Sequence, residues 1–419
     1  MSKFCIGIGH CQSLYKYILF SIIIKSIFEI MKKIIEVNNK NNENNDVYPV
    51  LGNHIMIQNI YSYIIYIILG LIFLCLQKKK PIGSEYEERL TEIENNTFHI
   101  TCQSYVKIII ICLIFTVYFG IFQILYSLGF YDCDLWPLNI FFGLSFMNYY
   151  YEISYLKHRL YPLGIACIID FLLIFSSSFI KKDNENVYEY TEKVTNNKYY
   201  IAFIFLVFIF NSMIISFSRV FCKKLMETKY IPIHLIVFLS GCFGLLISCI
   251  ILIVSTNNNC TNEYLYCNTK DGNLKYYDNL YIYFQRLGDE FYESKAKFFI
   301  EILILTPLFS FFDFICFYLE VLINFYLDPI FFLCGDTCFY TIKILIDYIA
   351  DLCTDNAISK INLPHIIITL LANFFALIGF AIYLEIIILK FCGLNEDIRI
   401  NIIDRGIVDS THTFIEDSD

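Results

Sequence analysis

Residues 303–320 read LILTPLFSFFDFICFYLE. The stretch is apolar apart from a carboxylate in its middle, Asp313, and a second, Glu320, at its end. The mostly apolar run continues outward to 298 and 323. That is long enough for a helix to cross the hydrocarbon core of a bilayer, which takes about 20 residues. No strand could do so alone, because its backbone would find no partners in lipid. The stretch therefore predicts a transmembrane helix with an acid in it, and the rest of the chain follows the same pattern.

The chain has 419 residues, 57% of them hydrophobic and only 17% charged. Soluble domains run nearer a quarter charged. Ten apolar runs predict spans over roughly 13–31, 56–76, 105–129, 136–152, 159–180, 199–218, 231–255, 298–323, 328–350 and 365–391. The first carries Lys16, Lys25 and Glu29, so an interfacial amphipathic helix is its alternative reading. The expected fold class is all-α, a polytopic membrane protein of about ten helices. Five fall in a first half, 1–180, and five in a second, 199–391. A polar linker, 181–198, separates the halves, and an acidic tail, 392–419, follows. An odd number of spans per half inverts the second half relative to the first, the arrangement common in secondary transporters.

Abundant Asn, Ile, Lys, Tyr and Phe is what an AT-rich coding sequence produces, and the tract NNKNNENN at 38–45 reads as a polar loop. The net charge of −9 leaves no basic patch for nucleic acid. A cytosolic N-terminus puts QKKK at 77–80, KHR at 157–159 and RVFCKK at 219–224 in cytosolic loops. The loop 256–297 then lies outside, where Cys260 and Cys267 are candidates for a disulfide and Asn259 begins a sequon. Both termini are expected in the cytosol, in an endomembrane or the plasma membrane.

Ionisable residues inside spans are costly and mark function by default. Asp313 reads either as a cavity carboxylate for a cation or proton, or as an internal partner of Lys343 or a Tyr hydroxyl. Asp313 and Glu320 are seven residues apart, as are Asp336 and Lys343, which places each pair on one helix face. Lys343 can neutralise Asp347 four residues on, or meet an anionic substrate. Asp170 is a further in-span acid. Asn148, Asn211 and Asn373 suit interhelical hydrogen bonds or substrate contact. Ser240 and Gly244 have the spacing of close helix packing. Pro307 is expected to kink its helix, with or without a gating role. Glu385 is read as the interfacial exit of the last span, within reach of water or Lys390.

Phosphate-loop and HExxH motifs are absent, as is any Cys/His zinc pattern, so no cofactor or metal is expected. The last span has the form Gly-x-x-x-Tyr-x-Glu-Ile-Ile, through Gly379, Tyr383 and Glu385. With the two groups of five spans, and with CGDTCFYTIKILI at 334–346 as a penultimate helix, it resembles the drug/metabolite transporter superfamily. The branches it looks most like are the nucleotide-sugar-transporter-like and chloroquine-resistance-transporter-like proteins. The chain departs from that family in holding Leu384 where Asn is frequent, in few Gly and Ala within spans, and in its longer loops.

The resemblance implies a secondary transporter of a small organic solute, working by alternating access. Asp313 and Asp336 would line its site, followed by Lys343, Asn211 and Asn148, and the surplus of in-span acids favours a cationic or proton-coupled solute. The partners expected are that solute and the lipid bilayer, with a homodimer as a candidate assembly and no nucleic acid. Two rival readings are a multi-pass structural or receptor-like protein, and an integral-membrane lipid or glycan transferase.

Overall fold

A computed structural model of the chain describes residues 8–41, 55–77, 136–151, 157–177, 198–229, 231–257, 268–270, 274–276, 280–327, 329–352 and 363–390, with isolated positions between 106 and 114 and at 394. The third predicted span, the linker up to 197 and the tail from 395 lie outside the described residues, as do Asn259, Cys260 and Cys267.

The described chain is helical apart from one short hairpin. Its helices are α1 (Ile8–Asn41), α2 (Ile55–Gln77), α3 (Trp136–Tyr151), α4 (Lys157–Ser177), α5 (Lys198–Lys229), α6 (Ile233–Asn257), α7 (Leu280–Glu293), α8 (Lys295–Ile300), α9 (Thr306–Tyr326), α10 (Pro329–Leu352) and α11 (Leu363–Tyr383). Strands β1 (Asn268–Lys270) and β2 (Leu274–Tyr276) pair antiparallel, Thr269 opposite Lys275. Among the described residues, five helical segments are long and apolar enough to cross a membrane: Ile57–Leu76, Ile233–Val254, Lys295–Tyr326, Pro329–Ala350 and Ile366–Tyr383. The protein is thus a multi-helix membrane protein.

The tightest helix pairs are α2 with α6 and α4 with α11. Glycine makes the first possible. A Cβ on Gly244 would come within 2.3 Å of the Tyr63 ring, and one on Gly241 within 2.9 Å of Tyr66 Cβ. A Cβ on Gly70 would meet Phe238 Cα at 3.0 Å. The close approach predicted at Ser240 and Gly244 is found at Gly244, joined by Gly241 and by Gly70 opposite, with Ser240 buried beside them. Gly379 does the same for α11, where an added Cβ would sit 2.5 Å from Ala166. In both pairs the contact positions descend along one helix as they rise along the other, so each pair is antiparallel.

Two other pairs are parallel. Along α1 and α10, Lys25 meets Asp336 and, further on, Lys33 meets Asp347. Along α3 and α5, Ser216 donates to the Asn139 carbonyl, and Lys224 lies by Tyr150. Helices α3 and α4 pack together, as do α10 and α11. α9 touches α1, α2, α5, α6 and α10, which makes it the hub of the bundle.

Four expectations change. The tract RVFCKK, predicted as a cytosolic loop, lies within α5, with Arg219 and Lys223 buried. The reason is local chemistry. Lys223 Nζ reaches the carbonyl oxygens of Asn324, Phe325 and Leu327 at 3.4, 3.3 and 2.6 Å, groups left over at the end of α9. KHR likewise opens α4, and His158 and Arg159 are buried. The predicted loop 256–297 carries the helix α7, whose buried Tyr283 packs on Ile57 and Leu252. Finally, the last helix ends at Tyr383, eight residues before the predicted limit of 391. Pro307 stands in the first turn of α9 just after a π turn, Glu301–Leu305, which takes up its missing N–H within a continuous helical segment.

Candidate functional site

The site is built where α1, α5, α9 and α10 converge on the ring of Phe332. Lys25 Nζ lies 4.5 Å from the ring centroid and Arg219 Cζ 4.7 Å from it. Each cation also has an acid. Lys25 forms an ion pair and hydrogen bond with Asp336 on α10. Arg219 donates from Nε to Glu320 on α9 at 2.7 Å. Phe332 itself is fully buried. A desolvated cation over an aromatic face is worth about 2 kcal/mol, and here two cations share one ring.

Tyr66 donates its hydroxyl to Asp313 Oδ2 at 2.8 Å, and the Ser62 hydroxyl is a second donor. Tyr66 is fixed by stacking on Phe317, centroids 5.2 Å apart, and by the close approach of Gly241. The internal partner that the sequence offered Asp313 is therefore a Tyr hydroxyl and not Lys343. Cys316, one turn along α9, lies within electrostatic reach of Lys25, Lys32, Asp313 and Asp336. The structure thus brings Asp313 and Asp336 into one charged neighbourhood around Cys316.

The other candidates fall elsewhere. Asp347 pairs with Lys33 of α1 at 3.1 Å, while Lys343 also acts on it electrostatically, so the expected pairing within the helix is shared with a second one. Asn211 is buried on α5, eight residues before Arg219; that is about 12 Å along the helix. Asn148 is exposed on α3 and does not join the cluster. Tyr383 is buried, edge-on to Phe331 at 6.2 Å, with Arg159 5.9 Å from its ring.

Glu385 pairs with Arg159, a partner the sequence did not offer. Its Oε1 accepts two hydrogen bonds from Arg159 of α4, from Nε at 3.0 Å and from the terminal nitrogen Nη2 at 2.7 Å. The backbone there leaves the helix in a Schellman turn. Ile386 N–H donates to Ala381 O and Glu385 N–H to Ile382 O, and Glu385 takes the left-handed position with φ 58°.

Lys25, Arg219, Arg159 and Tyr66 went unselected as site residues in the sequence. Arg159 and Arg219 sit in basic tracts that read as loops. Lys25 made its own span look interfacial. The usable signal was arithmetic: each in-span acid demands a nearby cation or donor, and these were the basic residues nearest the spans.

Among the described residues, no group of three or more His, Cys, Asp or Glu is placed to hold a metal. Neither the family models nor the curated proteins yield a match to this chain.

Proposed function

We propose that the protein is a secondary transporter of a small organic solute, built from two inverted halves of five spans each. The observation that carries this reading is the way the helices pair. Numbering the predicted spans, α1 to α6 occupy places 1, 2, 4, 5, 6 and 7, and α8–α9, α10 and α11 occupy 8, 9 and 10. Adding or subtracting five turns the contact of spans 4 and 6 into that of 9 and 1, and both are parallel pairs. It turns 4 with 5 into 9 with 10. Spans 2 with 7, 5 with 10 and 4 with 9 map onto themselves, and the first two are antiparallel. Two copies of one unit about a two-fold axis in the membrane plane produce this set of contacts.

The solute would enter between the halves, where Lys25–Asp336 and Arg219–Glu320 flank Phe332 and Asp313 lies close by. A cationic solute would compete with Lys25 or Arg219 for its carboxylate, and this exchange of partners would release the helices for the opposite-facing state. A second reading draws on one specific observation. Asp336, Glu320, Asp347 and Glu385 all have basic partners inside the bundle, which is what a non-transporting structural protein requires.

Cys316 separates the two without knowledge of the solute. The chain is reconstituted in vesicles with Cys316 as its one remaining cysteine and treated with a membrane-impermeant thiol reagent from each side. Transport by alternating access expects modification from both sides. Modification from one side only, or from neither, would favour the structural reading.

A further inference from the structure

Helices α4 and α11 face each other along complementary stripes. Beyond His158 and Arg159 at its start, the buried residues of α4 are Leu163, Ala166, Cys167 and Asp170, at the spacing of a single helix face. On α11 they are Ala372, Asn373, Ala376, Gly379, Phe380, Ile382 and Tyr383. The register is set by Arg159 against Glu385 and Ala166 against Gly379. Continued along the antiparallel pair, it puts Asp170 level with residues 374–375, one to two positions from Asn373.

Each of these two residues leaves both polar side-chain atoms without a hydrogen-bond partner among the described residues, whereas Asn211 leaves one oxygen. Asp170 is 0% exposed and Asn373 1%. Neither oxygen of Asp170 has a hydrogen-bond partner among the described residues, and neither the oxygen nor the nitrogen of Asn373 has one. Buried polar groups without partners are rare and costly, and each one in a folded protein asks for an explanation. An unpaired ionised carboxylate would be costlier still.

The charged surroundings add nothing. Among the described residues, no charged group acts on Asp170. The titratable neighbour that senses it, among the described residues, is Cys167, a turn away on α4. α3, which also packs on α4, contains no charged residue. α11 has none between Asn373 and its end. The nearest acid toward the Phe332 cluster on α10, Asp336, is held by Lys25.

We propose that Asp170 and Asn373 form a buried proton-binding site between α4 and α11. The structure shows no bond between the two side chains; on taking up a proton the carboxyl turns to donate it to the amide oxygen, which gives both residues a partner. A metal cation needs more oxygen ligands than one carboxylate and one amide supply, whereas a proton needs only these two groups. Opening the α4–α11 contact would let water take the proton from Asp170, and closing it on the other side would reload the same oxygen. If the transporter reading holds, on which this role alone depends, that proton is the coupling ion.

The test is infrared spectroscopy of the full chain in lipid vesicles, titrated with acid and base. The proposal expects one protonated-carboxyl C=O band that is missing in D170N and displaced in N373L, which removes its hydrogen-bond partner. A spectrum unchanged in both variants at every pH would overturn the site. Should D170N fail to fold, N373L decides alone: a displaced band supports the site and an unmoved one removes it. The spectrum does not depend on solute movement. A band that follows the substitutions, in a protein whose Cys316 is reached from one side only, would keep the proton site and discard the transporter.

Discussion

Arg159 and Glu385 stand 226 positions apart in the chain, and the arginine places two nitrogens on one oxygen of the glutamate. The pair is buried, and it fastens the start of α4 to the end of α11. The same glutamate sits in a left-handed backbone position that a β-carbon disfavours by about 1–2 kcal/mol. The ion pair holds it there. R159A is expected to destabilise the protein by about 3–5 kcal/mol, because it leaves a buried charge uncompensated. E385A is expected to cost a similar amount. E385G loses the same ion pair but relieves the backbone, so it should be more stable than E385A by about 1 kcal/mol. Denaturant unfolding in detergent would rank the three. An E385G protein no more stable than E385A would show that the turn is not strained.

Lys25 and Arg219 converge on the same ring from different helices, so their contributions should not add. Removing one member of either ion pair is expected to cost about 3–5 kcal/mol, and replacing both members of a pair by apolar residues much less. Between the pairs, a cycle of K25M and R219M should give a coupling of about 0.5–3 kcal/mol. The same cycle in an F332L background should shrink that coupling. Unchanged coupling without the ring would mean that the two cations communicate through the helices and not through Phe332.

Tyr66 is the hydroxyl that bonds Asp313 directly, with Ser62 as a second donor and Lys32 within electrostatic reach. Y66F leaves a carboxylate oxygen without its partner and is expected to cost about 1.5–3 kcal/mol, the range for a hydrogen bond to a charged group. D313N keeps the shape and can still accept from Tyr66, so it should fold nearly as well as the parent. If Asp313 serves transport, D313N abolishes flux while leaving the unfolding midpoint close to its starting value. Flux that survives D313N unaltered would take Asp313 out of the site.

Gly244 offers a clean steric comparison. G244A drives a methyl group into the Tyr63 ring and should destabilise by about 1–3 kcal/mol. G164A meets nothing within 4 Å, and it should be neutral or stabilising by about 0.4–1 kcal/mol, as for Gly-to-Ala changes at compatible sites. Melting curves of the two variants in one detergent would check both signs. Equal losses would place the α2–α6 contact elsewhere.

The helical class and the positions of five apolar spans were legible because lipid imposes a length and a composition on every crossing segment. Helix α2 was expected over 56–76 and runs Ile55–Gln77; α6 was expected over 231–255 and runs Ile233–Asn257. Errors collected where a charge is satisfied by a residue far away in sequence. Arg219 looked like a loop residue because its acid, Glu320, is 101 positions on. Glu385 looked like an exit marker because Arg159 is not near it in the chain. Asp313 read as a cavity carboxylate or as the partner of Lys343 or a Tyr hydroxyl, and finding Tyr66 needed the packing of α2 on α9. Local patterning marks which residues are buried; only the helix arrangement says which of them meet.

The π turn at Glu301–Leu305 has a consequence for how α8 and α9 are oriented. One extra residue in a turn changes the phase of everything before it by about 100°. Glu301 lies five residues before Thr306, and both are buried. Regular α-helical steps would have carried Glu301 about 140° around the axis from that face. The segment 295–326 is therefore two helical faces joined out of phase, and a periodicity read straight through it assigns the wrong side to α8. Deleting a single residue between 301 and 305 would leave the segment's length and hydropathy nearly unchanged, yet swing Lys295–Ile300 to a different neighbour. Selection on this stretch would then tolerate substitutions far better than changes in residue number.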